Sequence, residues 1–310
     1  MKIVVTGSNG MVGRCIQDRI IDYSDHEFTF LHRKGGIHSV DLTNKEHVEQ
    51  YFSKHSYDSI IHLAANVGGL YKNMAKNIQM FQDNMNMTMN VLEACHENNI
   101  QRGIFVLSSC IYPANPSRFP MDETMIHEGP PHNSNEGYAY AKRMMEMLCK
   151  HYNENYNREY ICVIPVNLYG PYDNFDLEDG HMVPMIIHRF YYTRSNPVAY
   201  GTGLPLRQFL FAPDFANIIC TLLCSYNDTK PIICCNHDEY QIKDIVEEIC
   251  DVMDISFQSL TWDNSKSDGC MRKTVTNNKF HTLYPDFQFT SLHDGLQQTY
   301  TWFLRYIINT

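Results

Sequence analysis

Short apolar runs rich in β-branched residues alternate with longer helical patterns over the first half of the chain. These runs are typical of buried parallel strands, and they lie at residues 2–6, 28–31, 59–65, 102–107 and 160–166. Between the third and fourth runs, residues 73–98 have the periodicity of one long helix. Strands that alternate with helices in this way predict an α/β fold with a Rossmann-type, doubly wound parallel sheet.

The alternation fades after residue 170, and the remaining sequence is less regular. Residues 214–223 and 244–253 have amphipathic helical patterns, and residues 266–269 have the composition of a turn. We therefore predict a Rossmann domain over 1–170 and a smaller C-terminal lobe over 171–310, with some segments exchanged between the two.

A glycine-rich turn follows the first predicted strand and precedes a helical pattern. Its sequence is GSNGMVG, a GxxGxxG motif that runs from Gly7 to Gly13. Glycines at this spacing permit a tight turn and close approach of backbone to a ligand, and the N-terminus of the next helix favours a pyrophosphate. The strand–turn–helix context predicts a dinucleotide site rather than a merely flexible loop.

The residues after the second predicted strand indicate which dinucleotide is bound. The strand is followed by His32, Arg33 and Lys34, where NAD-binding proteins usually have an acidic residue for the ribose 2′-hydroxyl. Cations suit a 2′-phosphate, and a guanidinium binds phosphate with two hydrogen bonds, so Arg33 predicts NADP. For His32 and Lys34 individually, a solvated loop charge is the competing interpretation. Asp41 opens the next turn and is expected at the adenine edge.

A third group of polar residues lies after the fourth strand and at the start of the helix that follows it. Ser108, Ser109 and Cys110 end the strand at the edge of the sheet where ligands of such folds bind. Tyr138 and Lys142 are four residues apart and share one helix face. An ammonium beside a phenol favours the phenolate, so we expect Lys142 to lower the pKa of Tyr138. A YxxxK pattern alone also occurs by chance in ordinary helices.

Composition and charge narrow the class of protein. Hydrophobic residues make up 44% and charged residues 19% of 310, as in ordinary globular proteins. The net charge of −10, with no basic tract, argues against a general nucleic-acid or anionic-membrane binder. The eleven cysteines show no CxxC and no metal-ligand spacing. No signal peptide or spanning apolar run is visible, so we expect a cytoplasmic protein with free thiols and no metal.

Several longer motifs, spread over nearly the whole chain, identify a family. They are AANVGGL, SSCIYP, DETMIHEGPPHNSNEGYAYAKRM, NLYGPYDNF, EDGHMVP and KSDG. Together with GxxGxxG and YxxxK, they resemble the extended short-chain dehydrogenases/reductases, and within that family the members that act on a GDP-linked keto sugar. The resemblance implies 3,5-epimerisation and NADPH-dependent 4-reduction of GDP-4-keto-6-deoxy-D-mannose to GDP-L-fucose. It also implies a homodimer formed through the 73–98 helix and the Tyr138 helix.

The resemblance assigns a role to each catalytic candidate. Tyr138 is the proton donor, Lys142 its modulator and a ribose contact, and Ser108 a hydrogen-bond partner of the C4 oxygen. Cys110 and His181 are the acid/base pair of epimerisation. Inversion of a carbon beside a ketone needs two groups of intermediate pKa on opposite faces of the ring. Thiol and imidazole, with pKa values of about 8.5 and 6.5 in model peptides, meet that need.

The resemblance also implies binding residues, with the substrate held mostly by the C-terminal lobe. Two positions depart from the usual pattern: Tyr200 stands where bacterial relatives have Trp, and Val166 replaces the Thr of Pro-Thr-Asn. The expected substrate contacts are Val67, Ser108, Asn167, Arg189, Tyr200, Arg207 and Asp268. The expected cofactor contacts are Gly7, Ser8, Asn9, Gly10, Met11, Val12, Gly13, Arg33, Asp41, Leu42, Leu63, Ala64, Ala65, Val106, Leu107, Ser108, Ser109, Tyr138, Lys142, Pro165, Val166, Asn167, Leu168 and His181.

Three alternatives remain open at this point. A sugar-nucleotide 4-epimerase on the same fold has no need of Cys110 and His181 and retains NAD tightly. A 4,6-dehydratase of the related families has Thr-Asp-Glu where this chain has Ser-Ser-Cys at 108–110. A non-catalytic NADP-binding scaffold belongs to another class of protein, and loss of Tyr138, Lys142 or Ser108 would indicate it. All three residues are present, which favours an enzyme.

Overall fold

Six parallel strands form the central sheet of the computed structural model, which describes residues 1–308. Their spatial order is β10–β5–β4–β3–β1–β2. The strands are β1 (Lys2–Thr6), β2 (Glu27–Leu31), β3 (Ser59–His62), β4 (Arg102–Val106), β5 (Glu159–Pro165) and β10 (Ile232–Cys234). The doubly wound parallel sheet predicted from the alternating pattern is confirmed.

Helices cover both faces of this sheet. Helix α1 packs against α7, while α2, α4 and α5 pack together as a second group. The bounds are α1 (Met11–Asp18), α2 (Lys45–Phe52), α3 (Leu70–Ala75), α4 (Asn77–Glu97), α5 (Glu136–Tyr156) and α7 (Ala212–Ser225). Burial on both faces explains why the strands are continuous apolar runs rather than alternating ones: the residues of β1 from Ile3 to Val5 and of β3 from Ile60 to Ile61 have 0–1% of their surface exposed.

The predicted single helix over 73–98 is wrong, because the chain forms two helices there. Helix α3 ends at Ala75, and Lys76 has the non-helical dihedrals φ −123° and ψ 34° before α4 begins. The break lies where α5 starts, since the Asn77 side chain accepts a hydrogen bond of 2.6 Å from the Gly137 N–H. Helix α3 packs on the turn before α5, whereas α4 packs along α5 itself, and one straight helix does not meet both surfaces.

A second, smaller core lies among the remaining elements. It is formed mainly by α6, α8 and α10 and includes Phe190, Ile245, Leu296 and Phe303, all with 0% exposure. The elements are α6 (Met182–Tyr192), α8 (Ile242–Val252), α9 (Asn278–Leu283) and α10 (Leu292–Phe303), with β6 (Asn167–Tyr169), β7 (Val198–Tyr200), β8 (Leu206–Arg207), β9 (Phe209–Phe211), β11 (Tyr240–Gln241) and β12 (Thr261–Asp263).

The chain crosses between the two cores more than once. After β6 it builds part of the smaller core, and then α7 and β10 return to the central sheet, where β10 pairs with β5. The segment that follows β12 runs back along the first core, since Met121 forms an isolated bridge with Val275. Residues far apart in sequence therefore meet at the carboxyl edge of the sheet.

All eleven cysteines are free thiols. Among residues 1–308, no helix combines the length and the apolar character that crossing a bilayer requires.

Candidate active site

The glycine-rich turn lies against the end of β3, where only glycine fits. Gly7 has φ +70°, and a Cβ added there would lie 2.7 Å from the backbone nitrogen of Ala64. At Gly13, a Cβ would lie 2.6 Å from the carbonyl oxygen of Ser8. Helix α1 then begins with no side-chain cap and no acidic residue in its first turn. Its free N–H groups and positive dipole end suit an anion, so the turn fits the pyrophosphate of a dinucleotide.

Polar side chains buried under the turn hold the strand ends together. Ser8 Oγ donates to the carbonyl of Leu31 at 2.8 Å, which joins the turn to β2. Thr6 Oγ1 lies 2.8 Å from His62 Nδ1, and the Ala64 N–H donates to the same hydroxyl at 3.3 Å. The predicted cofactor residues of the turn and of the segment 63–65 are thus brought side by side.

Arg33, the residue predicted to bind the 2′-phosphate, follows β2 and is exposed. Its side chain is 73% exposed, and its Nη2 lies 3.9 Å from Asp41 Oδ2, a distance that leaves the guanidinium free to bind an anion. His32 instead turns back on its own loop, with Nε2 hydrogen-bonded to the carbonyl of Gly35. Asp41 Oδ1 accepts from the Thr43 hydroxyl at 2.7 Å, and this bond lowers the pKa of the carboxyl.

The serine and cysteine candidates lie on one short turn at the end of β4. Residues Ser109–Ile111 form a single turn of 3-10 helix, and Ser108 Oγ caps it by accepting the Cys110 N–H at 3.2 Å. Arg143, on α5, donates through Nε to the carbonyl of Ile111 at 2.5 Å. The turn that carries Cys110 is therefore held at both ends.

Helix α5 positions Tyr138 and Lys142, which share one face as predicted and are both buried. Lys142 Nζ donates to the carbonyl of Val106 at 2.7 Å and lies 5.9 Å from the centroid of the Tyr138 ring. Burial lowers the pKa of Lys142 to about 8.

The expected lowering of the Tyr138 pKa is wrong. Burial raises the pKa of this phenol well above its usual value, Cys110 raises it further, and only the Ser108 hydroxyl lowers it. Lys142 directs its ammonium at the strand carbonyl rather than at the phenol oxygen. Tyr138 is consequently protonated at neutral pH, the state that a proton donor requires.

The pKa of Cys110 is shifted in the opposite direction from that of Tyr138. Burial opposes ionisation of its thiol, but the Lys273 ammonium, the Ser108 hydroxyl and Arg207 together outweigh burial and lower the pKa of Cys110. Lys273 Nζ lies 3.5 Å from the Cys110 sulfur. A phenol whose pKa is raised therefore lies beside a thiol whose pKa is lowered.

These features place the chain among known proteins. The model of the NAD dependent epimerase/dehydratase family matches residues 3–234. The chain belongs to this family. It is 40% identical to GDP-L-fucose synthase of Dictyostelium discoideum over 97% of this chain and 95% of that protein, and 30% identical to GDP-L-fucose synthase of Escherichia coli (strain K12) over 98% and 96%. A crystal structure of a GDP-L-fucose synthetase from Naegleria fowleri bound to NADP superimposes with a TM-score of 0.89, at 36% identity, over 100% of this chain and 94% of that one. The chain is an enzyme of the extended short-chain dehydrogenase/reductase type.

His181 and His188 are distinguished by their surroundings in this family member. His181 caps the start of α6, is 46% exposed, and its Nδ1 lies 3.9 Å from Asp173 Oδ1. His188 is two turns further along and donates through Nδ1 to the carbonyl of Phe175 at 2.5 Å. A Cβ at Gly69 would lie 2.6 Å from the Gly180 carbonyl, so the His181 turn rests on the loop after β3. Nδ1 of His188 thus forms a structural hydrogen bond, whereas the side chain of His181 is partly open to solvent.

The predicted substrate residues of the C-terminal lobe form two neighbouring groups. The Arg189 guanidinium stacks on Tyr200, 3.7 Å from the ring centroid. Asp268 accepts from the Thr202 N–H and hydroxyl, both at 2.8 Å, which joins the 200–207 segment to the 266–269 turn. Arg207 donates to the Cys270 carbonyl at 2.5 Å. Two further predicted substrate residues lie outside this lobe. Asn167 Nδ2 donates to the Gln208 carbonyl at 2.8 Å, and Val67 is exposed.

The sequence analysis missed several residues around a cleft of about 760 Å³. The cleft is lined by segments 114–119, 130–136 and 269–272. His132 belongs to this lining, and burial, Lys273 and Arg207 together lower its pKa. Lys273 was missed although it lies four residues beyond KSDG. Arg143 was missed although it directly follows Lys142. The signal for Lys273 was a cation close to a recognised motif, and the signal for Arg143 was a cation inside one, since it belongs to YAYAKRM.

Proposed function

We propose that this chain converts GDP-4-keto-6-deoxy-D-mannose to GDP-L-fucose by 3,5-epimerisation followed by NADPH-dependent 4-reduction. The observation that carries this proposal is that Tyr138 lies beside Cys110, a thiol 3.5 Å from the Lys273 ammonium; burial and Cys110 raise the pKa of the phenol, and the pKa of the thiol is lowered despite its burial. A reductase alone needs only the phenol, and the thiol supplies the group that inversion of a neighbouring carbon requires.

In the reductive step, Ser108 and Tyr138 hold the C4 oxygen of the sugar. When bound, the reduced nicotinamide supplies a hydride to C4. Negative charge then develops on the oxygen, and the Tyr138 hydroxyl donates its proton there. Lys142 anchors this end of the site through its bond to Val106, and it would contact the ribose of the bound cofactor.

In the epimerisation step, Cys110 removes the protons from C3 and C5, and His181 returns protons from the opposite face of the ring. The 4-ketone acidifies both carbons, and the enolate oxygen lies beside Ser108 and Tyr138. One polar site therefore serves both inversions. His181 is assigned this role rather than His188, whose Nδ1 is bound to the Phe175 carbonyl and whose ring packs against Tyr192 and Phe303.

The binding residues divide between the two parts of the chain. We assign cofactor binding to 1–170 and substrate binding mainly to 171–310, with segments exchanged. Arg189, Tyr200, Arg207 and Asp268 hold the GDP-sugar, because two cations and an aromatic face suit a nucleoside diphosphate. They act with Val67, Ser108 and Asn167. Arg33 selects NADPH over NADH through the 2′-phosphate.

A homodimer belongs to the same proposal. Helices α4 and α5 pack together, and α4 leaves large apolar side chains exposed: Ile78 at 76%, Phe81 at 38% and Met89 at 45%. Contiguous exposed apolar surface of this kind marks a protein–protein interface. A second copy meeting this face would bury it in a four-helix arrangement. Light scattering on the wild-type protein and on Phe81→Asp tests this, with a monomer expected only for the variant.

The decisive experiment incubates the protein with NADPH and GDP-4-keto-6-deoxymannose and identifies the product by NMR. In D₂O without NADPH, the wild-type enzyme should exchange deuterium into C3 and C5 of the keto sugar. Cys110→Ala should abolish that exchange while the protein still binds NADPH. Unaltered exchange in this variant would make Cys110 a packing residue and the chain a plain 4-reductase.

A further inference from the structure

Lys273 lies on a backbone segment that is fixed from both sides. The Leu206 N–H donates to the Met271 carbonyl at 2.8 Å, and the Met121 N–H donates to the Thr274 carbonyl at 2.9 Å. The Val275 N–H donates to the side chain of Gln208 at 2.8 Å. This support directs Lys273 at Cys110, where Nζ and Sγ are 3.5 Å apart.

Within the described part of the chain, the Lys273 ammonium has the Cys110 sulfur as its hydrogen-bond partner. Among residues 1–308, no carboxylate lies within 4.0 Å of it, whereas other lysines of the chain, such as Lys45 and Lys72, form ion pairs with Glu93 and Asp179. A partly buried ammonium without an anion is costly. Ionisation of the facing thiol removes that cost, so each group stabilises the charge of the other.

The remaining groups around Cys110 favour the same state. Arg207 adds a second cation, and Ser108 adds a hydroxyl that can donate to a thiolate. Tyr138 faces the sulfur as a neutral phenol. His132 lies close enough to Lys273 and Arg207 for both to lower its pKa, so it is neutral at pH 7 and adds no competing charge.

We propose that Lys273 is a positioning residue for epimerisation: its ammonium, 3.5 Å from the sulfur, stabilises the thiolate of Cys110, so that the base is completed by the C-terminal lobe. This inference rests on the proposed role of Cys110. In the step itself, an S–H bond forms as the C3–H or C5–H bond breaks, and the electron pair of that C–H bond passes into the enolate. Lys273 keeps its own proton throughout, which separates its role from that of an acid.

The proposal accounts for two reactions that share one pocket without interfering. The thiolate raises the pKa of Tyr138, so the phenol keeps the proton that reduction requires. Reduction has no need of the thiolate, and loss of Lys273 should therefore affect inversion far more than hydride transfer.

The first test measures ionisation of Cys110 without substrate. Alkylation by iodoacetamide is followed across pH by mass spectrometry of the Cys110 peptide, which separates this thiol from the ten others. The wild-type inflection should lie below the ordinary thiol value of about 8.5. Lys273→Met should raise it by at least one unit, a tenfold loss of thiolate at neutral pH. Lys273→Arg should leave it low, and Lys150→Met, which removes an exposed lysine of α5, should not move it.

The second test measures deuterium exchange at C3 and C5 as a function of pH. In Lys273→Met, the rate of deuterium exchange should fall about tenfold at pH 7. The rate should recover as the pH rises, because the thiolate then forms without the lysine. Lys273→Gln serves if the Met variant is insoluble. An unshifted alkylation inflection, or exchange lost equally at every pH, overturns the proposal. Either result leaves the proposed function intact, since that fails only if Cys110→Ala retains exchange.

Discussion

Tyr138 and Cys110 lie in the same pocket, yet their surroundings come from different parts of the chain. The phenol lies beside Ser108 and Lys142, which come from the turn after β4 and from α5. The thiol depends on Lys273, 163 residues away in the chain. Burial raises the pKa of the first group, and cations from the other lobe lower the pKa of the second. The reductase chemistry is thus assembled within one lobe and the epimerase chemistry between two.

The sharpest way to separate the two groups is Tyr138→Phe, which removes only the donated proton and leaves the ring. Reduction should fall by roughly 10² to 10⁴, the usual contribution of a general acid, while deuterium exchange at C3 and C5 is largely retained. Stopped-flow absorbance of NADPH and NMR of the sugar measure the two rates. Tyr140→Phe, on the same helix, is the control. Reduction at the wild-type rate in Tyr138→Phe would place the proton donor elsewhere.

The acid that completes epimerisation is tested by a pair of histidines on one helix. His181→Asn should lose inversion by a factor on the order of 10² and keep its fold, because the imidazole is accessible and returns a proton. His188→Asn should keep inversion and instead lower thermal stability, since it loses the bond to Phe175. Deuterium exchange and thermal unfolding distinguish them. The reverse pattern would mean that His188 is the acid.

Arg143→Met tests how far the geometry of the Cys110 turn matters. The variant loses the bond to the Ile111 carbonyl, a charged hydrogen bond of about 1.5–3 kcal/mol. We expect deuterium exchange to fall about tenfold and reduction to fall less. Arg158→Met is the matched control, because Arg158 is also buried but donates to His96, away from the pocket. Equal losses of exchange in both variants would indicate a general effect of stability.

The smallest effect concerns the cofactor, which only the reductive half uses. Arg33→Ala should raise the KM for NADPH about fivefold, because ion pairs of a side chain this exposed contribute up to about 1 kcal/mol. The KM for NADH should hardly change, and deuterium exchange without NADPH should remain at the wild-type rate. Lys34→Ala is the neighbouring control. Equal changes for both cofactors would remove Arg33 from the 2′-phosphate site.

Local sequence signals were enough for five of the six strands of the central sheet and for the dinucleotide turn, whereas the edge strand β10 lies in the segment assigned to the C-terminal lobe and was not predicted. The strands were predictable because burial on both faces demands continuous apolar runs. The turn was predictable because only glycine fits at positions 7 and 13, so the glycine spacing marks it. Tyr138 and Lys142 share a face by helix geometry alone. Each of these features depends on residues within one element and its immediate neighbours.

Features that depend on contacts between distant segments could not be predicted from the sequence. The break at Lys76 arises because α3 and α4 pack on different surfaces near α5. The pKa of Tyr138 is raised rather than lowered, because burial outweighs a lysine that binds a strand carbonyl instead.

By itself, then, the sequence identified candidate residues: motif spacing and helix periodicity place Ser108, Cys110, Tyr138 and Lys142 at one edge of the sheet, and the family resemblance implies their catalytic roles. Only the tertiary structure decided the direction in which the pKa values of Tyr138 and Cys110 shift. A pKa depends on burial and on charges within a few ångströms, and for Cys110 the charge comes from Lys273, which reaches the thiol because the chain returns from the C-terminal lobe to the first core.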